Sequence, residues 1–128
     1  MARGNRYNWI YDRLDKVTGG IKEFANKPGN YKKLSSGGFM DLVIESIGNN
    51  SISLAHYYEQ NGDLVPDPDM EVKVHDHGMA EALTFQNSLL YQQVYSDDGL
   101  KYRPKLKDDL NRFLHFWLCN LEKQGFYK

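Results

Sequence analysis

The sequence predicts one α+β domain spanning residues 1–128: an N-terminal helix, an antiparallel meander of about five strands and a C-terminal helix, with both helices on one sheet face. Apolar residues recur at helical spacing near each end of the chain. Between them, residues 39–95 alternate apolar and polar at period two and are cut by turn dipeptides. No repeat, low-complexity tract or linker divides the 128 residues, a length that suits a single core.

Residues 5–25 place Trp9, Ile10, Leu14, Val17, Ile21 and Phe24 on one stripe, as an amphipathic helix requires. Gly19-Gly20 costs about 1 kcal/mol per glycine relative to alanine and predicts a break there. Asn26-Lys-Pro-Gly-Asn30 stops the helix, and residues 31–37 are expected as an exposed basic loop. Strands are expected at 39–47 and 51–60, joined by Gly48-Asn-Asn50. In the second, Ile52, Leu54, His56 and Tyr58 share one face, and Ser53, Ala55, Tyr57 and Glu59 the other. Asn61-Gly62 is a hairpin turn. Pro66 and Pro68 keep the next residues extended and out of a central ladder. The strand at 70–76 sets Met70, Val72 and Val74 against Glu71, Lys73 and His75. Strands at 79–86 and 89–95 complete the set. Pro104 suits the first turn of the last helix, whose stripe is Leu106, Leu110, Phe113, Leu114, Trp117, Leu118 and Leu121. Asp108 and Asp109 sit early, where the helix dipole favours anions, and Gly125 is the stop.

Cys119 is the sole cysteine, which excludes an intramolecular disulfide and a thiolate-rich zinc site. Set beside Trp117 and Leu118, it is expected as a structural thiol. The first residues lack a signal peptide's apolar run, and no window approaches the roughly 18 apolar residues of a membrane span. The expectation is a cytoplasmic protein with no membrane contact. Net charge is −1 but uneven: residues 1–35 carry +5, residues 36–100 carry −10 and residues 101–128 carry +4. Basic ends packed beside an acidic middle explain this most simply. An acidic surface would also repel nucleic acid and attract a basic partner.

Polar residues crowd between Gly62 and His77. His56, His75, His77, Asp67, Asp69 and Asp76 offer the imidazole and carboxylate ligands that zinc, manganese or iron take. His75 and His77 are two apart and would share one strand face, a pair of ligands at most, and no HExxH pattern exists. Solvated imidazoles are the plainer expectation there, and for His56 a core histidine bonded to backbone or tyrosine. Acid–base chemistry would need two carboxylates in unlike environments, from Glu45, Glu59, Glu81 and Asp63. Glu81 alternates with Met79, Leu83 and Phe85, so it is expected half-buried and paired with Lys or Arg from a helix. No G-x-S-x-G, P-loop or Rossmann pattern is present. Arg3, Arg6 and Arg13 lie among Tyr7, Trp9 and Tyr11, with Lys32-Lys33 following, a mixture that can hold phosphate and stack bases. The pI of 6.4 argues against a dedicated nucleic-acid binder. Tyrosines gather on the expected strands and their exits, where they serve cross-strand pairs and protein interfaces alike.

Across Tyr57-Tyr-Glu-Gln-Asn-Gly-Asp-Leu-Val-Pro-Asp-Pro-Asp-Met-Glu-Val72, Met79-Ala-Glu-Ala82 and Leu110-Asn-Arg-Phe-Leu-His-Phe-Trp-Leu118, the chain resembles the YqiB-like family of small bacterial proteins. The resemblance covers roughly residues 50–125. It implies a bacterial, cytoplasmic, single-domain protein and carries over no activity and no catalytic residue. Similar proteins read Tyr-His-Asp where this chain has His75-Asp76-His77, so these three are not a fixed family site.

The function expected is a non-enzymatic protein-binding or adaptor module, with no cofactor and a protein partner. It would use the sheet face away from the helices, through Tyr57, Glu59, Asp63, Asp67 and Asp69. The alternative is a small enzyme or metal-binding protein built on His75 and His77. A further alternative, disfavoured by charge, is nucleic-acid binding by the first helix. No pattern sets an oligomeric state.

Overall fold

The computed structural model describes residues 5–128. Helix α1 (Arg6–Thr18) begins at Asn5, whose side-chain oxygen accepts the Asn8 N–H at 2.9 Å. It ends at Gly19, left-handed with φ 78°, whose N–H donates to the Asp15 carbonyl. The Asp15 carboxylate then accepts the Ile21 N–H at 2.8 Å, starting α2 (Ile21–Asn26). The N-terminal helical stretch is therefore two helices, broken at the glycine pair as the sequence predicts. Ile10, Leu14, Val17 and Ile21 are buried, so the apolar stripe continues across the break.

Residues 31–37 depart from the expected loop. Tyr31–Leu34 form β1, antiparallel to β2 (Leu42–Gly48), with Tyr31 opposite Glu45 and Leu34 opposite Leu42. The two lysines disguise the alternation. Lys32 lays its stem inward and donates to the Val17 carbonyl at 3.0 Å, while Leu34 packs on the core.

Strands β3 (Ser51–Gln60) and β4 (Asp63–His75) form the long central hairpin, turned at Asn61-Gly62 with φ 53° and 86°. The expected start of this strand is corrected, while the prolines do stay out of a two-sided ladder. β4 starts at Asp63 rather than near Met70, and contains both Pro66 and Pro68, the latter after a cis peptide bond. A register shift takes them up: Ala55 faces Asp69, but Tyr57 faces Pro66. This stretch is paired on one side only, by β3, so the missing proline N–H groups break no second ladder.

The expected strand at 79–86 is split into β5 (Met79–Ala82) and β6 (Thr84–Gln86). Between them the Leu83 N–H donates to the Glu71 carbonyl at 2.7 Å. β7 (Tyr91–Gln93) is shorter than expected, because the Asn87 side chain accepts the Leu89 and Leu90 N–H groups and closes a turn there. The sheet order is β1-β2-β3-β4-β6-β7, with β5 also paired to β4. It is the expected antiparallel meander, with seven strands in place of about five.

Helix α3 (Pro104–Lys123) carries Pro104 in its first turn. It buries Leu110, Leu114, Trp117, Leu118 and Leu121, whereas Phe113 is 41% exposed and meets Phe85 edge-on, 5.3 Å between centroids. These side chains and the stripe of α1 and α2 pack on Leu42, Ile44, Ile52, Leu54, Met70, Val72, Ala80 and Ala82 from one face of the sheet. All the helices lie on that face. Asn111 is wholly buried; its side chain accepts the Ala82 N–H at 2.7 Å and donates to the Lys107 carbonyl at 2.8 Å, tying α3 to β5. After Gly125, φ 91°, the chain returns Phe126 and Tyr127 to the core, and the Tyr127 hydroxyl donates to the Leu118 carbonyl at 2.8 Å. Burial pushes that phenol up to about 12. Among the described residues, no helix is long and apolar enough to cross a membrane.

Candidate functional site

Because the helices cover one sheet face, the other is left bare, and the cross-strand register decides what stands on it. Tyr31, Glu45, Ser53 and Glu71 form one row across β1 to β4. Lys33, Val43, Ala55, Asp69, Gln86 and Tyr91 form the next, and Tyr57 follows Ala55 by two along β3. Three tyrosines thus stand among three carboxylates. Tyr31 and Tyr91 are 58% and 53% exposed.

The electrostatics agree with the register. Burial, then the charges of Asp69, Glu45 and Tyr31, push the Tyr57 phenol up. Burial, then Glu71, Asp97 and Asp69, do the same to Tyr91. Asp69 is raised by burial, against the Ser53 hydroxyl that donates to it at 2.7 Å. Glu71 is raised by burial and by Asp69. The face holds carboxylates at some cost. Its two lysines turn elsewhere: Lys33 pairs with Asp41 at 3.4 Å, and Lys73 donates to the Asn49 carbonyl.

Of the contact residues expected from sequence, Tyr57 and Asp69 fall within this cluster. Glu59 continues the Tyr57 face toward the hairpin tip and is exposed. Asp63 pairs with Gln60 on the opposite alternation, and Asp67 lies exposed in the register shift. Residues 63–69 belong to β4, which the expected strand at 70–76 left out. Tyr31, Glu45 and Glu71 are not among the expected contact residues, Glu45 being considered only as an acid–base carboxylate. Their period-two spacing on paired strands is the signal that finds them once β1 is recognised.

The histidines separate. His56 is in the core, its Nδ1 3.0 Å from the Asp41 carbonyl and its ring against Trp117 and Phe126, as expected. His75 and His77 do not share a strand face: β4 ends at His75, and His77 sits in the following turn at φ 68°. Asp76 faces Lys22 at 3.4 Å. Among the described residues, no group of three or more His, Cys, Asp or Glu side chains is placed to hold a metal ion.

A cleft of about 600 Å³ opens beside this turn, lined by Tyr7, His75, Asp76, His77, Met79, Ala80, Glu81 and Lys107. Its hub is Glu81, buried and paired with a helix lysine as its alternation suggested. The carboxylate accepts from His75 Nε2 at 2.7 Å and the Tyr95 hydroxyl at 2.9 Å, and pairs ionically with Lys107 Nζ at 3.4 Å. Lys107 also lies 5.5 to 5.8 Å from the ring centroids of Tyr7, Tyr95 and Tyr102. Burial works against its charge, but the bond to Tyr95 and the Glu81 charge outweigh this and raise its pKa. The Asn8 side chain donates to the Gly78 carbonyl at 2.8 Å and fixes the turn against α1.

The basic aromatic helix is already engaged. Arg13 pairs with Glu122 at 3.2 Å and lies over Trp9, which stacks on His115 at 4.0 Å. Arg6 meets Asp108 at 3.5 Å. Arg3 lies outside the described residues. Among the described residues, Arg6 and Arg13 face carboxylates of α3, Lys33 faces Asp41 and Lys32 donates to the Val17 carbonyl.

The fold and these surfaces define a small α+β domain with an open antiparallel sheet, a bare face and a side cleft. The chain belongs to the family described as a domain of unknown function, DUF6908, whose match covers residues 10–127. No curated protein and no solved structure matches it. The YqiB-like resemblance stays an expectation beside that membership.

Proposed function

We propose that this is a protein-binding module whose bare sheet face takes a basic segment of a partner. One observation carries it: Tyr31, Tyr57 and Tyr91 stand with Glu45, Asp69 and Glu71 on the face that no helix covers. Tyrosine contributes large contact area at low entropy cost and suits interfaces. The carboxylates supply the complementary charge, and partial burial leaves Asp69 and Glu71 less well solvated than free carboxylates. An incoming ammonium or guanidinium would relieve both. Such a site gains mainly in encounter rate and selectivity, and weakens as salt rises. A bacterial, cytoplasmic setting belongs to the same proposal.

The test is fluorescence anisotropy with a labelled lysine-rich peptide, an acidic peptide of equal length, and the Tyr57→Ser variant. The basic peptide is expected to bind at low salt, to lose affinity as salt rises and to bind Tyr57→Ser more weakly. Equal behaviour of the two peptides would refute the proposal. So would a Tyr57→Ser chain that fails to fold, since Tyr57 would then belong to the core.

A further inference from the structure

We propose that the cleft between α1, the β4–β5 turn and α3 binds a small organic anion, held by the Lys107 ammonium over an apolar floor of Tyr7, Met79 and Ala80. A volume of about 600 Å³ is in the range of small-molecule sites. Its chemistry follows from what its groups have already spent. Glu81 accepts two hydrogen bonds from within the protein and pairs with Lys107, so its oxygens are engaged. Asp76, the other carboxylate of the lining, faces Lys22. Both anions of the cleft are therefore answered by the protein itself.

The donors are in surplus. An ammonium carries three N–H groups, and Glu81 with Tyr95 leaves part of that capacity toward the cleft. Tyr7 and His77, residues whose side chains can donate, belong to the same lining. His75 commits Nε2 to Glu81, which fixes its ring. His77 is held in the left-handed region, uncommon for a residue with a Cβ, by a turn that Asn8 clamps to α1. Groups held in this way are pre-organised for a ligand. Fixed donors beside an aromatic and aliphatic floor fit a carboxylate or phosphate joined to a compact apolar body. The site shares no residue with the sheet-face cluster, so each proposal stands or fails alone.

The experiment is an amide NMR titration of the full chain with two probes, benzoate and inorganic phosphate. Benzoate is expected to give saturable shifts at His77, Met79, Ala80 and Glu81, with a dissociation constant on the order of 1 mM or tighter. Lys107→Gln should weaken it roughly tenfold or more, the usual worth of a charge-assisted contact. Lys105→Gln, on the same helix with its side chain 91% exposed, should leave it unchanged. Saturation by phosphate alone would assign a phosphoryl group in place of a carboxylate. No saturation by either probe, or undiminished binding to folded Lys107→Gln, overturns the proposal. Should Lys107→Gln fail to fold, Tyr7→Leu decides: weakened benzoate binding supports the site, and unchanged binding overturns it.

Discussion

Asn111 is a polar residue in the middle of the most apolar helix, and its replacement by leucine tests how α3 is attached to the sheet. Leucine has the same branching and side-chain heavy-atom count but bulkier methyl groups, so no cavity opens and any crowding adds to the loss. What changes is the hydrogen bonding. The Ala82 N–H, which donates to Asn111 Oδ1 at 2.7 Å, loses its acceptor in a site with no exposed surface on either residue. A buried donor left unsatisfied costs about 1–3 kcal/mol. The companion bond to the Lys107 carbonyl matters less, since that oxygen stays inside the helix where the backbone ladder serves it. The net expectation is a loss of about 2 kcal/mol, against the naive view that more apolar area in the stripe should stabilise. With a urea m-value of about 1–3 kcal/mol/M, the midpoint should fall by roughly 1 M. The Ala82 amide should also exchange faster with solvent. A midpoint unchanged or raised would show that this amide does not depend on Asn111, and the account of the α3–β5 junction would be wrong.

Three further outcomes are expected. Trp117→Ala should cost about 3–5 kcal/mol by chemical denaturation, because the ring is 7% exposed and packs on His56 and Phe113. Asp69→Asn addresses pH. Burial, opposed by Ser53, raises the folded-state pKa of Asp69, so its contribution is full below the ordinary carboxylate range and is lost as pH rises through the folded value. At neutral pH the asparagine variant should be more stable than wild type by up to about 1 kcal/mol at this partly exposed site, and below about pH 3 the gain should vanish. The Tyr127 phenol, pushed up to about 12, holds its stabilising bond to Leu118 below the ordinary tyrosine range and should lose it as pH rises through the folded value. Ultraviolet titration of Tyr127→Phe against wild type should remove the most alkaline tyrosine step.

Elements with strong periodicity were legible in the sequence. The stripes of α1 and α3, the Asn61-Gly62 hairpin and the core place of His56 all follow from spacing and turn chemistry. Elements set by tertiary contact were not. β1 was hidden because Lys32 shows a polar name while its stem lies inward on Val17. The start of β4 was hidden because Pro66 and Pro68 rule out a two-sided ladder but allow a one-sided one. Asn111 lies inside a leucine stripe, and the Ala82 N–H that calls for it is 29 residues away. The same holds for the surfaces. Tyr57 and Asp69 were both named from the sequence as contact residues, but Glu45, Glu71 and Tyr31 join them only through register. Glu81 was expected half-buried and paired with Lys or Arg from a helix, and it is buried and paired with Lys107. His75 and Tyr95, its other partners, needed the turn at His77 and the return of the chain after β7.

The central claim is that the uncovered sheet face, and not the helical side, meets a basic partner. The most direct measurement is a chemical-shift map of the full chain titrated with the lysine-rich peptide. The largest changes are expected at Tyr31, Glu45, Ser53, Tyr57, Asp69 and Glu71, fading as salt rises. Changes centred instead on Arg6, Trp9 and Arg13 along α1, or no changes at low salt, would contradict it.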